Sequence, residues 1–405
     1  MRQHILRTFQ AFRYRDFRLV WIGAFTSTTG TWMQTVAQSW VVLQLTDSAF
    51  WLGVDAFLAT LPMILFSLVG GAIADRVDRK KLLLASQFLQ MSFAFVLAAL
   101  ILFEVVEVWH ILVLSFLTGS AQAFGGPAYQ ALLPTLVERE DVPNAIALNS
   151  MQFNLARMIG PLLAAVALAA WGAAACFGLN GLSFIAVIVM LLMVSARFVP
   201  ERREGRTMIA DIREGFGFME ENPHLIHLSA IAFAASCFGI PLITLLPVVA
   251  KELFQSGVTV YSWLMTASGA GSVAGALVVA AAGYLPRKGR LALFFQLSLG
   301  VFLLSFAFSR NLWLSLALLF CTGASLLGVI AMVSSLIQLA TAEAMRGRVM
   351  SIFFLAFRGA MPLGNLLSGW IAERWSVTAA LTLNATCLAL VALGYLLTPN
   401  RVREM

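Results

Sequence analysis

Apolar stretches of roughly twenty residues recur along the whole of this 405-residue chain, interrupted only by short polar turns. A helix needs about 20 mostly apolar residues to cross ~30 Å of hydrocarbon. It must also satisfy its own backbone, because lipid offers no hydrogen-bond partners. By that rule twelve segments qualify: roughly 17–44, 50–73, 81–103, 108–131, 144–170, 173–196, 224–250, 259–283, 290–308, 312–338, 347–372 and 376–398. Composition agrees, with 60% hydrophobic and 12% charged residues and a mean hydropathy of +0.86. A soluble domain runs nearer half and a quarter. The chain reads as an all-α integral membrane protein with twelve transmembrane helices in two six-helix bundles.

The charges test that count. With the N-terminus, the even-numbered loops and the C-terminus assigned to the cytoplasm, those segments hold 22 of the 27 Lys and Arg. The opposite loops hold Lys251, Arg310 and Arg374, and Arg157 and Arg358 fall within spans. A miscounted helix would invert every later loop and erase the bias. The expectation is a bacterial-type inner (plasma) membrane protein with both termini cytoplasmic. The net charge of +7 lies in short clusters between apolar runs, which argues against a nucleic-acid partner. Cys176, Cys237, Cys321 and Cys387 stand singly in apolar runs and read as packing residues, not metal ligands. His224-x-x-His227 has helical spacing but no third ligand, so no metal and no cofactor are expected.

The longest polar stretch lies mid-chain. Ile209, Ile212, Phe216 and Met219 have the spacing of an amphipathic helix at the cytoplasmic membrane surface. It divides the chain into an N-terminal bundle (1–196), a linker (197–223) and a C-terminal bundle (224–405). The two halves are related. Leu155-Ala-Arg157-Met-Ile-Gly160-Pro161-Leu in span 5 matches Ala356-Phe-Arg358-Gly-Ala-Met-Pro362-Leu in span 11. Phe116-Leu-Thr-Gly119 in span 4 matches Phe320-Cys-Thr-Gly323 in span 10. Parallel six-helix repeats are the plan of transporters that bind substrate between two bundles near mid-bilayer.

After span 2 comes Gly70-Gly71-Ala-Ile-Ala-Asp75-Arg76-Val-Asp78-Arg79-Lys80-Lys81. Here the chain resembles the major facilitator superfamily, whose hallmark turn between helices 2 and 3 is Gly-x-x-x-Asp-Arg/Lys-x-Gly-Arg-Arg/Lys-Arg/Lys. Gly71, Asp75, Arg76, Arg79 and Lys80 match it, and Asp78 replaces the usual second glycine. The resemblance implies a gating latch. Gly71 permits close helix approach, while Asp75 and the basic residues bridge to neighbouring helix ends in one conformation only. The second-half turn, Gly283 to Arg290, keeps the basic charge but lacks the acid. Tyr14-Arg-Asp-Phe-Arg18, Gly30-Thr-Trp32-Met-Gln34, Gly125-Gly-Pro127-Ala128, Asn144-Ala-Ile-Ala-Leu-Asn149 and Arg346-Gly-Arg348-Val-Met-Ser351 are similar to the drug:H+ antiporter branch, which includes enterobactin and macrolide exporters. Gly160-Pro161 resembles the antiporter motif of helix 5 without its further glycines.

The sequence has no phosphate-cradling Gly-x-x-x-x-Gly-Lys-Ser/Thr, which directs attention to secondary transport. That requires charge or proton carriers within the bilayer, where ionisable residues are costly and functional by default. Asp55, Arg157 and Arg358 qualify. Asp55 lies 20 residues before Asp75, about 30 Å along one helix at 1.5 Å per residue. It therefore falls near the outer end of span 2, not at the midplane. Burial can raise a carboxyl's pKa towards neutrality, which makes Asp55 the candidate for the coupling proton, with a helix-start acid in the outer headgroups as the plainer alternative. Arg157 and Arg358 fall near the middle of their helices and cannot give up a proton usefully. They could meet substrate anions, Asp55, or carbonyls of neighbouring helices. Gln34, Gln38 and Gln122 complete the candidate substrate-binding set, on the pattern of a sparsely polar apolar wall; each could equally brace helices.

These readings converge on a non-enzymatic exporter of a small drug-like or siderophore-like molecule, coupled to inward proton flow. Its expected partners are a small amphipathic molecule, protons and membrane lipid, with a monomer as the working state. A lipid or lysolipid flippase on the same fold is the rival. A membrane-embedded enzyme would need paired carboxylates, a His cluster or an activated nucleophile in the bilayer.

Overall fold

A computed structural model of the chain describes residues 9–74, 77–194, 208–281, 287–398 and 401–405. Asp75, Arg76 and the charged part of the linker lie outside the described residues. The first helices are α1 (Arg15–Thr46), α2 (Ala49–Ala74), α3 (Arg79–Leu102) and α4 (Val108–Leu132). The helical run Val142–Met193 breaks at Gly172, whose φ of 78° and ψ of −179° suit glycine alone. One residue thus makes the corner between α5 (142–171) and α6 (173–193). The amphipathic stretch forms α7 (Met208–Glu221).

The second half begins with a compound span. It consists of α8 (Pro223–Ala234), a π turn (Ala235–Gly239) and α9 (Pro241–Glu252). Then follow α10 (Val258–Ala281), α11 (Lys288–Phe308), α12 (Leu312–Ala340), α13 (Glu343–Arg374), α14 (Val377–Leu397) and the short α15 (Arg401–Glu404). Among the described residues, ten helical stretches are long and apolar enough to cross a membrane by themselves. The α5–α6 run counts once among them, and α1, diluted by Thr, Ser and Gln, falls short. Restoring both gives the twelve spans of the sequence reading.

The chain forms two compact units, Met1–Leu45 with Leu61–Arg203 and Thr46–Thr60 with Glu204–Met405. In the first, small residues set the helix spacing, as expected where lipid removes the hydrophobic drive between helices. A Cβ on Gly30 would lie 2.6 Å from the Asn180 and Ser183 side-chain oxygens, and one on Gly160 2.4 Å from the Trp32 Cβ. At one end, Phe17, Val20, Leu83, Leu132, Leu136, Leu148 and Leu191 form a buried cluster. The N-terminal segment clasps the start of α5 there. Tyr14 Oη donates to Asp141 Oδ2 at 2.8 Å, Arg13 pairs with Asp141 at 3.0 Å, and the Ala11 amide donates to Asn144 Oδ1 at 2.9 Å. Two segments that carried the family resemblance, Tyr14–Arg18 and Asn144–Asn149, share the buried cluster through Phe17, Ala145 and Leu148.

In the second unit α10 and α12 touch backbone to backbone. Added Cβ atoms on Gly271, Gly275 and Gly323 would come within 1.9, 2.4 and 2.0 Å of the carbonyl oxygens of Phe320, Ala324 and Ser268. The first turns of α2 belong to this unit because they seat on α13. Gly53 and Gly369 face one another there, and Glu373 Oε2 accepts from Ser48 Oγ at 2.9 Å and from the Phe50 amide at 3.4 Å. Asp47 pairs with Lys251 beside them. α7 docks on α13 through buried Gly215 and Met219 and an Arg348–Glu214 ion pair of 2.6 Å. Its Phe216 remains exposed.

Candidate functional site

The helix carrying Arg157 owes its position to glycine. Phe153, Arg157 and Gly160 are spaced i, i+4, i+7, so they share one face of α5. Gly160 lets that face close on α1 at Thr29, Trp32 and Met33. Trp32 then fills the space above it. The Arg157 guanidinium lies over the indole, 5.5 Å from its centroid, and the Phe153 ring meets the same indole edge-on at 6.2 Å. Among the described residues no carboxylate comes within ion-pair distance of Arg157, and its Nη2 is enclosed with no hydrogen-bond acceptor. A buried donor without an acceptor costs about 1–3 kcal/mol, more when charged.

Arg358 lies on α13, against the compound span. Pro241 has no N–H to offer the Cys237 carbonyl four residues back, and the chain widens into the π turn at that place. Gly364 seats on this region, since a Cβ there would lie 2.0 Å from the Cys237 oxygen. Ser236 Oγ donates to the Phe357 carbonyl at 2.6 Å, and Thr244 Oγ1 to Asn365 Oδ1 at 3.0 Å. Local π turns concentrate at functional places. Among the described residues no aromatic ring lies over Arg358 as Trp32 does over Arg157. The repeat preserves both arginines and not their surroundings.

Asp55 is buried, at 7% exposure, in the part of α2 that belongs to the second unit. It shares a helix face with buried Leu52 three residues earlier. Asp141, the other buried acid among the described residues, lies outside the spans in the N-terminal clasp. The glutamines separate. Gln34 Oε1 accepts from Asn180 Nδ2 at 2.6 Å, linking α1 to α6. Gln38 Nε2 donates to Ser115 Oγ at 2.9 Å, linking α1 to α4. Gln122 is exposed on α4. Asn149 and Gln152 also brace helices, accepting from Tyr129 at 2.6 Å and donating to the Ala24 carbonyl at 3.1 Å.

In the basic turn, Asp78 caps α3, its Oδ1 accepting from the amides of Lys80 at 2.8 Å and Lys81 at 3.3 Å. Lys80 Nζ donates to the Val194 carbonyl, at the end of α6, at 2.6 Å. Among the described residues Arg79 Nε is buried without a hydrogen-bond partner. Gly71 lies in the last turn of α2. Sequence reasoning missed the π turn and the indole over Arg157. Pro241 two residues after Gly239 was the available signal for the first; nothing linear tied Trp32 to Arg157. No three His, Cys, Asp or Glu residues are grouped to hold a metal among the described residues.

Residues 6–405 match the family described as transmembrane secretion effector. The chain is 26% identical over 375 residues to the Staphyloferrin A transporter of Staphylococcus aureus, covering 89% of this chain and 91% of the relative. It is 22% identical over 392 residues to Macrolide efflux protein A of Streptococcus pyogenes, covering 94% and 96%. A solved D-xylose-proton symporter matches its fold with a TM-score of 0.76 at 12% identity, over 96% of this chain and 99% of that one. The chain belongs to the transmembrane secretion effector family and is a multi-pass membrane transporter on the major facilitator fold.

Proposed function

We propose that the protein exports a small amphipathic molecule, siderophore-like or drug-like, in exchange for protons entering the cell. The two homologous halves expose the cargo alternately to either side of the membrane. Asp55 takes the coupling proton, and Arg157 and Arg358 meet acidic or acceptor-rich groups of the cargo. Exposed Gln122 lines its path, while Gln34 and Gln38 hold α1 in place beside it. The turn Gly71, Asp75, Arg76, Arg79 and Lys80 acts as the latch between conformations.

The observation that carries this reading is the pattern of charge within the spans. Among the described residues, the acid buried in a spanning helix is Asp55, and Arg157 stands without a carboxylate. A carboxyl can cycle between charged and neutral forms, whereas an arginine stays charged at any physiological pH. The relatives' names, Staphyloferrin A transporter and Macrolide efflux protein A, support export of a small molecule.

The test is efflux from proteoliposomes under an imposed pH gradient, with a macrolide and a siderophore as cargo. Asp55→Asn abolishes gradient-driven efflux and leaves a folded protein. Undiminished, pH-coupled efflux by that variant removes Asp55 from the mechanism. Asp75→Asn lowers turnover more than apparent affinity, the signature of a gate and not a binding group.

A further inference from the structure

We infer that Trp32, Arg157 and Phe153 form an anion-receiving unit that selects cargo bearing a planar acidic group, a carboxylate or a catecholate. The inference rests on the exporter reading above and adds to it the chemical group that the first half recognises.

The Arg157 guanidinium is half-buried, with its Nη2 enclosed. Removing it from water is expensive, and proteins usually offset that cost with a carboxylate. Here the partner is an aromatic face. Arg157 lies over Trp32 at 5.5 Å, and Trp32 is itself flanked edge-on by Phe153 at 6.2 Å. A cation over an indole gains about 0.5–1 kcal/mol when exposed and ~2 when desolvated. That is enough to fix the guanidinium plane and too little to satisfy its charge or its five N–H donors. The ring therefore orients the cation without neutralising it. The enclosed Nη2, with no acceptor among the described residues, is the donor left over. A guanidinium presents its donors as a planar fork that matches two oxygens of a carboxylate side by side. A planar acid can also lie along the indole, as aromatic groups prefer offset or edge contacts with one another.

The unit is built into the helix packing. Gly160 makes room for Trp32, since its missing Cβ would lie 2.4 Å from the Trp32 Cβ and 2.9 Å from the Thr29 carbonyl. Any side chain at 160 would push α1 and the indole away from Arg157. Trp32 and Gly160 are thus specificity-determining and positioning residues. Among the described residues the equivalent Arg358 has no such ring over it, so selection for the acidic group belongs to the first half.

The experiment uses the full chain labelled with 5-fluorotryptophan and purified in detergent. The Trp32 resonance is identified by its loss in Trp32→Phe. Benzoate and its neutral isostere benzamide serve as probes. Benzoate shifts the Trp32 fluorine resonance and benzamide does not; Arg157→Gln loses the response, and Arg157→Lys, keeping charge without the fork, retains a weakened one. Equal shifts from both probes, no shift from benzoate in the wild type, or an undiminished response in Arg157→Gln overturns the proposal. The wild-type comparison decides the matter even if an Arg157 variant fails to fold. Gradient-driven macrolide efflux is read after the same preparation is reconstituted into proteoliposomes. Efflux that persists without a benzoate response refutes the anion unit and leaves the exporter reading standing, whereas loss of efflux alone has the opposite meaning.

Discussion

At the scale of single residues, Asp78 explains how the chain departs from its family's turn without losing it. Asp and Gly both serve at a helix N-cap, Asp by accepting backbone N–H bonds and Gly by taking the required conformation cheaply. Asp78 uses the first route, binding the Lys80 and Lys81 amides. Asp78→Gly should cost a few tenths of a kcal/mol and Asp78→Ala about 1 kcal/mol. The melting temperature in detergent should therefore fall further for the alanine variant; a larger fall for glycine would show that the acid does more than cap. Gln34 and Gln38 carry a second residue-scale lesson. Their spacing marks one face of α1, but Asn180 and Ser115, from α6 and α4, decide what that face does. Linear spacing contains neither partner.

At the scale of elements, glycines divide into those that seat another backbone and those that do not. Gly271 belongs to the first kind, with a Cβ only 1.9 Å from the Phe320 carbonyl oxygen; Gly178 belongs to the second, with nothing within 4 Å. Gly271→Ala should destabilise by about 1–3 kcal/mol, the usual cost of overpacking. Gly178→Ala, in a helix, should be neutral or stabilising by up to ~1 kcal/mol. Thermal unfolding of both variants checks this, and similar melting temperatures would contradict the close crossing of α10 and α12. The docking of α7 is testable in the same spirit. Glu214→Arg breaks the pair with Arg348 and exposes α7 to limited proteolysis, and the added Arg348→Glu restores protection. If the single change leaves cleavage unaltered, the ion pair is not what holds the helix.

At the scale of the whole molecule, the charge distribution makes a topological prediction. Lys81→Cys and Gly347→Cys should react with a membrane-impermeant thiol reagent only from the cytoplasmic side, and Gln255→Cys and Asn311→Cys only from the outside. Labelling of both pairs from one side would break the twelve-span count. The division of the chain into units also departs from the boundary drawn on sequence. Thr46–Thr60 belongs with Glu204–Met405 although it begins the second span. The cause is local: Gly53 meets Gly369, and Glu373 holds Ser48 and the Phe50 amide. A linear reading assigns a helix to one half because hydropathy has no memory of what packs against it.

The number of spans, the repeat and the intramembrane charges were determined by sequence alone, because lipid imposes a length on every helix and a heavy cost on every charge within it. The break between spans 5 and 6 was legible for the same reason, since Trp171-Gly172 separates two full-length apolar runs; that Gly172 itself makes the corner was seen only in the backbone. The indole under Arg157, the π turn beside α13 and the hydrogen-bond partners of Gln34 and Gln38 were decided only by tertiary structure. Each depends on which helices touch, and at a lipid-buried contact that choice turns on close packing of small residues, a three-dimensional property that hydropathy and periodicity do not encode.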